Sequence, residues 1–124
     1  MENPWNGIVR NKSDKWVICL WDTSTITGGD KKWHGKALAP GRRSPNWLDV
    51  DGVTALERTV AISGWQEWWW LDGGAEADIQ TNGSALNISK TSRTGGLRQV
   101  TTAQVDTFGA NIDTGQDVNW GEKL

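Results

Sequence analysis

Nowhere in this chain do apolar residues recur at helical spacing over a helix length; they come in short runs bounded by turn chemistry. A surface helix must place apolar side chains at i, i+3, i+4 and i+7, whereas a half-buried strand needs only alternation. Fifteen Gly, twelve Thr and three Pro punctuate the 124 residues. That pattern predicts an all-β domain of short strands. Ile8 to Arg10 reads as a first strand and Asn11-Lys12-Ser13-Asp14 as a polar turn. Lys15 to Asp22 follows as a strand, with Trp16, Ile18 and Leu20 on one face and Val17, Cys19 and Trp21 on the other. Apolar residues on both faces mark it as central or covered.

Two hairpins are predicted from turn chemistry that agrees with period-two patterning. Asp51-Gly52 suits a two-residue turn whose central positions need φ > 0, and it sets Leu48, Val50, Val53 and Ala55 on one face. Asn82-Gly83 repeats the device, with Ala77 and Ile79 beside Leu86 and Ile88. Lys31 to Ala39, ended by Pro40-Gly41, and Leu97 to Ile112 hold further strands. Val53 to Ile62 mixes helix formers with β-branched residues and stays open between the two. With no internal repeat and no dividing linker, residues 1–124 read as one antiparallel β-sandwich, or alternatively a closed β-barrel.

Composition decides what fills it. Leu, Ile, Val and Phe number only 24, while ten Trp stand beside one Phe and no Tyr. Indole therefore supplies an unusual share of the apolar surface. No run approaches the ~18 apolar residues of a membrane span, and Met1-Glu2-Asn3-Pro4-Trp5 lacks the basic and apolar regions of a signal peptide. The expectation is a cytoplasmic chain until it is released or exported by a non-standard route. A pI of ≈ 5.3 argues against a nucleic-acid partner. Residues 1–43 carry eight Lys/Arg against four Asp/Glu, a net of +4, and residues 44–124 five against eleven, a net of −6. Such asymmetry suits a solvated surface, head-to-tail association into a homo-oligomer, or a basic end facing anionic headgroups.

Catalytic chemistry has little to work with. His34 is the one histidine and Cys19 the one cysteine, so no disulfide, no conventional zinc site and no Ser–His–acid signature arises. Cys19 lies among apolar residues, where a thiol is usually inert packing. The acidic turns Asp49-Val50-Asp51-Gly52 and Asp72-Gly73-Gly74 lack the later carboxylates of a calcium loop. We expect no metal, no cofactor and no enzyme, although a carboxylate pair for glycoside hydrolysis is spatial and leaves no trace in sequence.

The conspicuous stretch is Gly64-Trp65-Gln66-Glu67-Trp68-Trp69-Trp70-Leu71-Asp72. As a strand it sends Trp65, Glu67, Trp69 and Leu71 one way and Gln66, Trp68, Trp70 and Asp72 the other, and a small core absorbs only one face; as one short helical turn it clusters Trp65, Trp68 and Trp69 on a single side instead. Exposed indoles suit sugar faces, lipid headgroups or protein interfaces. The ligand candidates are Trp65, Trp68, Trp69 and Trp70, with Trp33 and Trp47 as neighbours.

The N-terminal third adds a resemblance. Ile8-Val9-Arg10-Asn11-Lys12-Ser13, the strand to Leu20-Trp21-Asp22, Gly28-Gly29 before Trp33, and Pro40-Gly41 look like the opening of aegerolysins, and His34-Gly35-Lys36-Ala37-Leu38 is similar to a stretch of actinoporins. Both are β-sandwich cytolysin families, so the resemblance implies a membrane-recognising sandwich and, for the first, a pore-forming partner protein. The Cys-Pro-Trp loop of many aegerolysins is missing, and Gly64 to Gly74 stands roughly there. The leading expectation is a non-enzymatic, Trp-rich sandwich that binds membrane lipid or surface glycan as a cytolytic or insecticidal toxin component. The alternatives are a structural subunit of a filament, shell or phage particle with Trp at its contacts, and, third, a small glycosidase.

Overall fold

A computed structural model describes residues 6–22, 33–57, 60, 62, 68–72, 74–90, 96–100 and 112–124. Among them run eleven strands: β1 (Ile8–Asn11), β2 (Val17–Asp22), β3 (Trp33–Leu38), β4 (Arg42–Arg43), β5 (Gly52–Ala55), β6 (Trp68–Asp72), β7 (Glu76–Asn82), β8 (Ala85–Lys90), β9 (Gly96–Val100), β10 (Ile112–Asp113) and β11 (Glu122–Lys123). They form one sheet in the order β11-β4-β1-β7-β8 and a second in the order β10-β3-β2-β5-β6-β9. Neither closes on itself among the described residues, so the fold is a sandwich and not a barrel. Its core joins Val9, Ala77, Ile79 and Leu86 of the first sheet to Val17, Cys19, Leu38, Val53 and Leu71 of the second.

Pairing is antiparallel except for one parallel pair in each sheet, β1 with β7 and β3 with β10. These exceptions explain the charge asymmetry of the sequence. Each sets a basic early strand beside an acidic late one. Arg10 pairs with Glu76 (3.2 Å) and Lys12 with Asp78 (2.8 Å) across β1/β7, and Lys36 pairs with Asp113 (2.9 Å) across β3/β10. Part of the +4/−6 contrast is thus satisfied within one molecule.

β2 has the two covered faces expected of it. Val17 and Cys19 point into the main core, while Ile18 and Leu20 on the outer face lie under Leu56, Trp70 and Ile112. Cys19 is fully buried, and burial pushes its thiol well above the usual cysteine range. Because the thiolate is the reacting species, a thiol-specific disulfide reagent should label native protein far more slowly than denaturant-unfolded protein. Equal rates would place Cys19 outside the core.

The Asn82-Gly83 hairpin forms between β7 and β8, with its register moved by two residues. Asn82 pairs with Ala85, so Gly83 and Ser84 make the turn, and Gly83 takes φ 63° at its first central position. A shift of two keeps every side chain on its face, so Ala77, Ile79, Leu86 and Ile88 still share the inner one. Asp51-Gly52, by contrast, is no hairpin turn. Gly52 opens β5, paired with Leu20 and Trp70, and the preceding chain crosses between the sheets. Val50 N–H donates to Gly7 O (3.0 Å) on the β1 side, and Asp51 N–H donates to Leu20 O (2.7 Å) on the β2 side. Gly52 serves instead to admit the Trp70 ring, whose Cε3 would lie 3.3 Å from a Cβ there. Val53–Ala55 resolves as strand and not helix, with Val60 and Ile62 buried beyond it.

The loop after β1 is held by buried polar groups. Asn11 is 0 % exposed; its Nδ2 donates to Lys15 O (2.8 Å) and Leu38 O (3.1 Å), and its Oδ1 accepts from Ser13 N (3.1 Å) and Oγ (2.6 Å). Ser44, equally buried, accepts from Val9 N (3.0 Å) through Oγ and donates its own N–H to Val9 O (2.8 Å). These bonds replace ladder bonds where β1, β3 and β4 converge. They fix where the chain leaves β4.

Candidate functional site

After β4 the chain makes a tight turn whose flanks are anchored. Leu48 N–H donates to Pro45 O (3.1 Å), which leaves Asn46 and Trp47 at the two central positions. Pro45 and Leu48 are buried, so the tip has nowhere to go but outward. Trp47 is 74 % exposed, the most exposed large apolar side chain among the described residues. Glu122 of β11 rivets the turn, accepting from Asn46 N (2.8 Å) and Asn46 Nδ2 (3.1 Å).

Opposite stands Trp120. The chain from β10 crosses to β11 through compact turns: Gly115 N–H donates to Asp113 Oδ1 (2.9 Å), Asn119 N–H to Asp117 Oδ1 (2.9 Å) and Trp120 N–H to Asp117 O (3.3 Å). Gly121, at φ 87°, then turns the chain into β11. Trp120 packs against the main core and stacks on Trp21 (centroids 6.1 Å, interplanar 22°), which stacks in turn on His34 (6.1 Å, 17°). Lys36 Nζ lies 5.9 Å from the Trp120 ring centroid while bonded to Asp113 Oδ2 at 2.9 Å.

Between these walls lies an open groove of ≈ 370 Å³. Trp47 and Trp120 give it indole surface, and Asn46, Asn119, Asp117 and Glu122 give it amide and carboxylate groups. A smaller recess of ≈ 160 Å³ at the start of β2 is lined by half-buried Trp16 with Leu56 and Val60. The recess has one indole and the groove two, and of these Trp47 is the exposed one.

The other sequence candidates are placed differently. Trp69 points to the core beside Leu71, half-buried, and its Nε1–H donates to Ile62 O (3.4 Å). Trp70 covers Ile18 and Leu20 on the outer face of the second sheet. Residues 68–72 are therefore strand, with Trp69 and Leu71 on one face and Trp70 on the other as expected, and these two indoles pack instead of lining the groove; residues 64–67 lie outside the described residues. Trp33 and Trp68 occupy β3 and β6, and their side chains, like all of Trp65, lie outside the described residues. Of the three candidates whose side chains are described, Trp47 lines the groove and Trp69 and Trp70 do not. Trp120 was missed; the usable signal was a lone large apolar residue between Asp117-Val118-Asn119 and Gly121, in an otherwise polar tail.

Electrostatics tie Trp120 to its frame. The Lys36 ammonium, followed by the Gly115 N–H, holds the Asp113 carboxyl below the usual carboxylate range. A lowered folded value means that this contribution to stability is present above the ordinary value of about 3.9 and is lost as pH falls through the folded one. Asp113 is solvent-exposed, so the effect is small. Carboxyl-detected NMR titration should place the Asp113 midpoint below the ordinary value and return it toward that value in Lys36→Gln. An unchanged midpoint in the variant would remove Lys36 as the cause.

Comparison with protein-family models, curated proteins and solved structures gives no match to this chain.

Proposed function

We propose that the protein is a non-catalytic β-sandwich that binds surface glycan through the Trp47–Trp120 groove. The observation that carries this reading is Trp47 itself, an indole held out on an anchored turn beside amide and carboxylate groups. Leaving a large apolar ring in water is unfavourable, and the Pro45–Leu48 turn enforces it. A pyranose ring offers what such a site lacks, an apolar face for the indole and hydroxyls for Asn46, Asn119 and Asp117.

A lipid surface fits less well. Two carboxylates at the rim repel anionic headgroups, and Val118, 59 % exposed, is the one other protruding apolar side chain of the 114–122 stretch. Hydrolysis is also disfavoured as a role, since both oxygens of Glu122 already accept N–H bonds from Asn46 and serve to hold the turn.

Co-sedimentation with insoluble polysaccharides, run beside flotation with neutral and anionic vesicles, tests the proposal. Retention on polysaccharide without flotation is the expected result. Flotation without retention would transfer the function to lipid. A large particle that ignores both would indicate a structural subunit, and release of reducing ends from a retained glycan would make the groove catalytic.

A further inference from the structure

Two Asn-Gly pairs occur in the chain, Asn6-Gly7 and Asn82-Gly83. In such a pair the glycine has no Cβ to shield its backbone nitrogen from the side-chain amide before it, and the two can close a five-membered ring. The fold treats the pairs in opposite ways. Gly7 is buried and its N–H donates to Asp49 Oδ1 (2.7 Å), while Asn6 Nδ2 donates to Asn46 O (3.1 Å). Asn82 and Gly83 stand exposed at the turn between β7 and β8. Among the described residues no hydrogen bond holds the Gly83 N–H, and a Cβ on Gly83 would meet no heavy atom within 4 Å, so the ring has room to form. The Asn82 side chain is tied, among the same residues, by one long bond from Nδ2 to Asn87 Oδ1 (3.4 Å).

We infer that Asn82 is a site of spontaneous deamidation, with water as the only co-reactant. The Gly83 nitrogen gives up its proton and bonds to Asn82 Cγ; the Cγ–Nδ2 bond breaks and Nδ2 departs as ammonia. Water then opens the succinimide at either carbonyl and leaves aspartate or isoaspartate at position 82. Nothing is oxidised or reduced, and each converted molecule gains a negative charge. The aspartate product keeps the backbone as it was. Isoaspartate adds a carbon to the main chain inside the Asn82–Ala85 pair, next to the two-residue turn. At Asn6 the same attack must first free the buried Gly7 N–H from a carboxylate, which holds the rate lower by about tenfold or more.

The test is to incubate native protein in mildly alkaline buffer beside a sample unfolded in denaturant, then resolve both by ion exchange and map the peptides by mass spectrometry. In the native sample a more acidic form should accumulate, with amide-to-acid conversion at Asn82 about tenfold or more faster than at Asn6. In denaturant the two pairs should convert at similar rates, because the protection of Asn6 is tertiary. Asn82→Gln leaves the turn glycine in place and lengthens the attacked side chain, so the acidic form should be lost. Conversion at Asn82 no faster than at Asn6 in native protein, a gap that persists in denaturant, or an acidic form of equal yield in Asn82→Gln would overturn the assignment.

Discussion

Gly7→Ala should lower the stability of this domain by roughly 3–5 kcal/mol, the larger part of what a small domain has. A Cβ on residue 7 would run into the carbonyl of Val50, backbone against a fully buried residue. Relief would require moving the 48–51 segment, which Gly7 holds from both sides. Its N–H donates to Asp49 Oδ1 (2.7 Å) and its carbonyl accepts from Val50 N (3.0 Å). That segment carries Leu48 and Val50 into the core and Asp51 into the second sheet, so the displacement spreads to both layers. For a chain of this size the melting temperature should fall by about 10–20 °C. Gly96→Ala is the control, because its Cβ meets no heavy atom within 4 Å. It should change stability by no more than about 0.5 kcal/mol. Equal effects at the two positions would refute the crossing assigned to residues 48–51.

This crossing also shows what a sequence can and cannot reveal about such a fold. Alternation and turn residues carry their message locally, so β1, β2, β3 and the β7/β8 hairpin were legible, down to the faces of Ala77, Ile79, Leu86 and Ile88. Asp51-Gly52 carried the same signal for a different cause. Gly52 is small because Trp70 lies over it from the neighbouring strand, and Leu48 and Val50 are buried because they bridge two sheets. Both causes are tertiary, and local chemistry does not distinguish them from a hairpin. The parallel pairs were equally invisible, since they join residues more than sixty positions apart.

The candidate site followed the same division. Consecutive tryptophans at 68–70 drew attention by their number, yet a strand with neighbours on both sides in a thin sandwich has two faces to cover, and β6 spends Trp69 on one and Trp70 on the other. Trp47 ranked in the sequence only as a neighbour, because its exposure depends on the burial of Pro45 and Leu48. The partner it faces, Trp120, arrives from the far end of the chain.

Trp47→Ala should therefore remove glycan binding while leaving the fold intact. An exposed side chain that touches little of its own protein can be truncated within about 0.5 kcal/mol. The same ring as the central contact of a small site is worth about 2 kcal/mol or more in binding, roughly a thirtyfold loss of affinity. Trp70→Ala should do the reverse. It uncovers Ile18 and Leu20 and empties the space above Gly52, at a cost of about 2–3 kcal/mol and about 5–10 °C in melting temperature. Affinity should hardly change.

The most direct measurement sets these two variants side by side, with glycan affinity and melting temperature recorded for each against wild type. Lost affinity with unchanged melting in Trp47→Ala, and lowered melting with retained affinity in Trp70→Ala, is the result expected if the protein keeps separate indoles for packing and for binding. Retained affinity in Trp47→Ala, or affinity lost from Trp70→Ala while its melting temperature stays at the wild-type value, would contradict that division and move the site to β6.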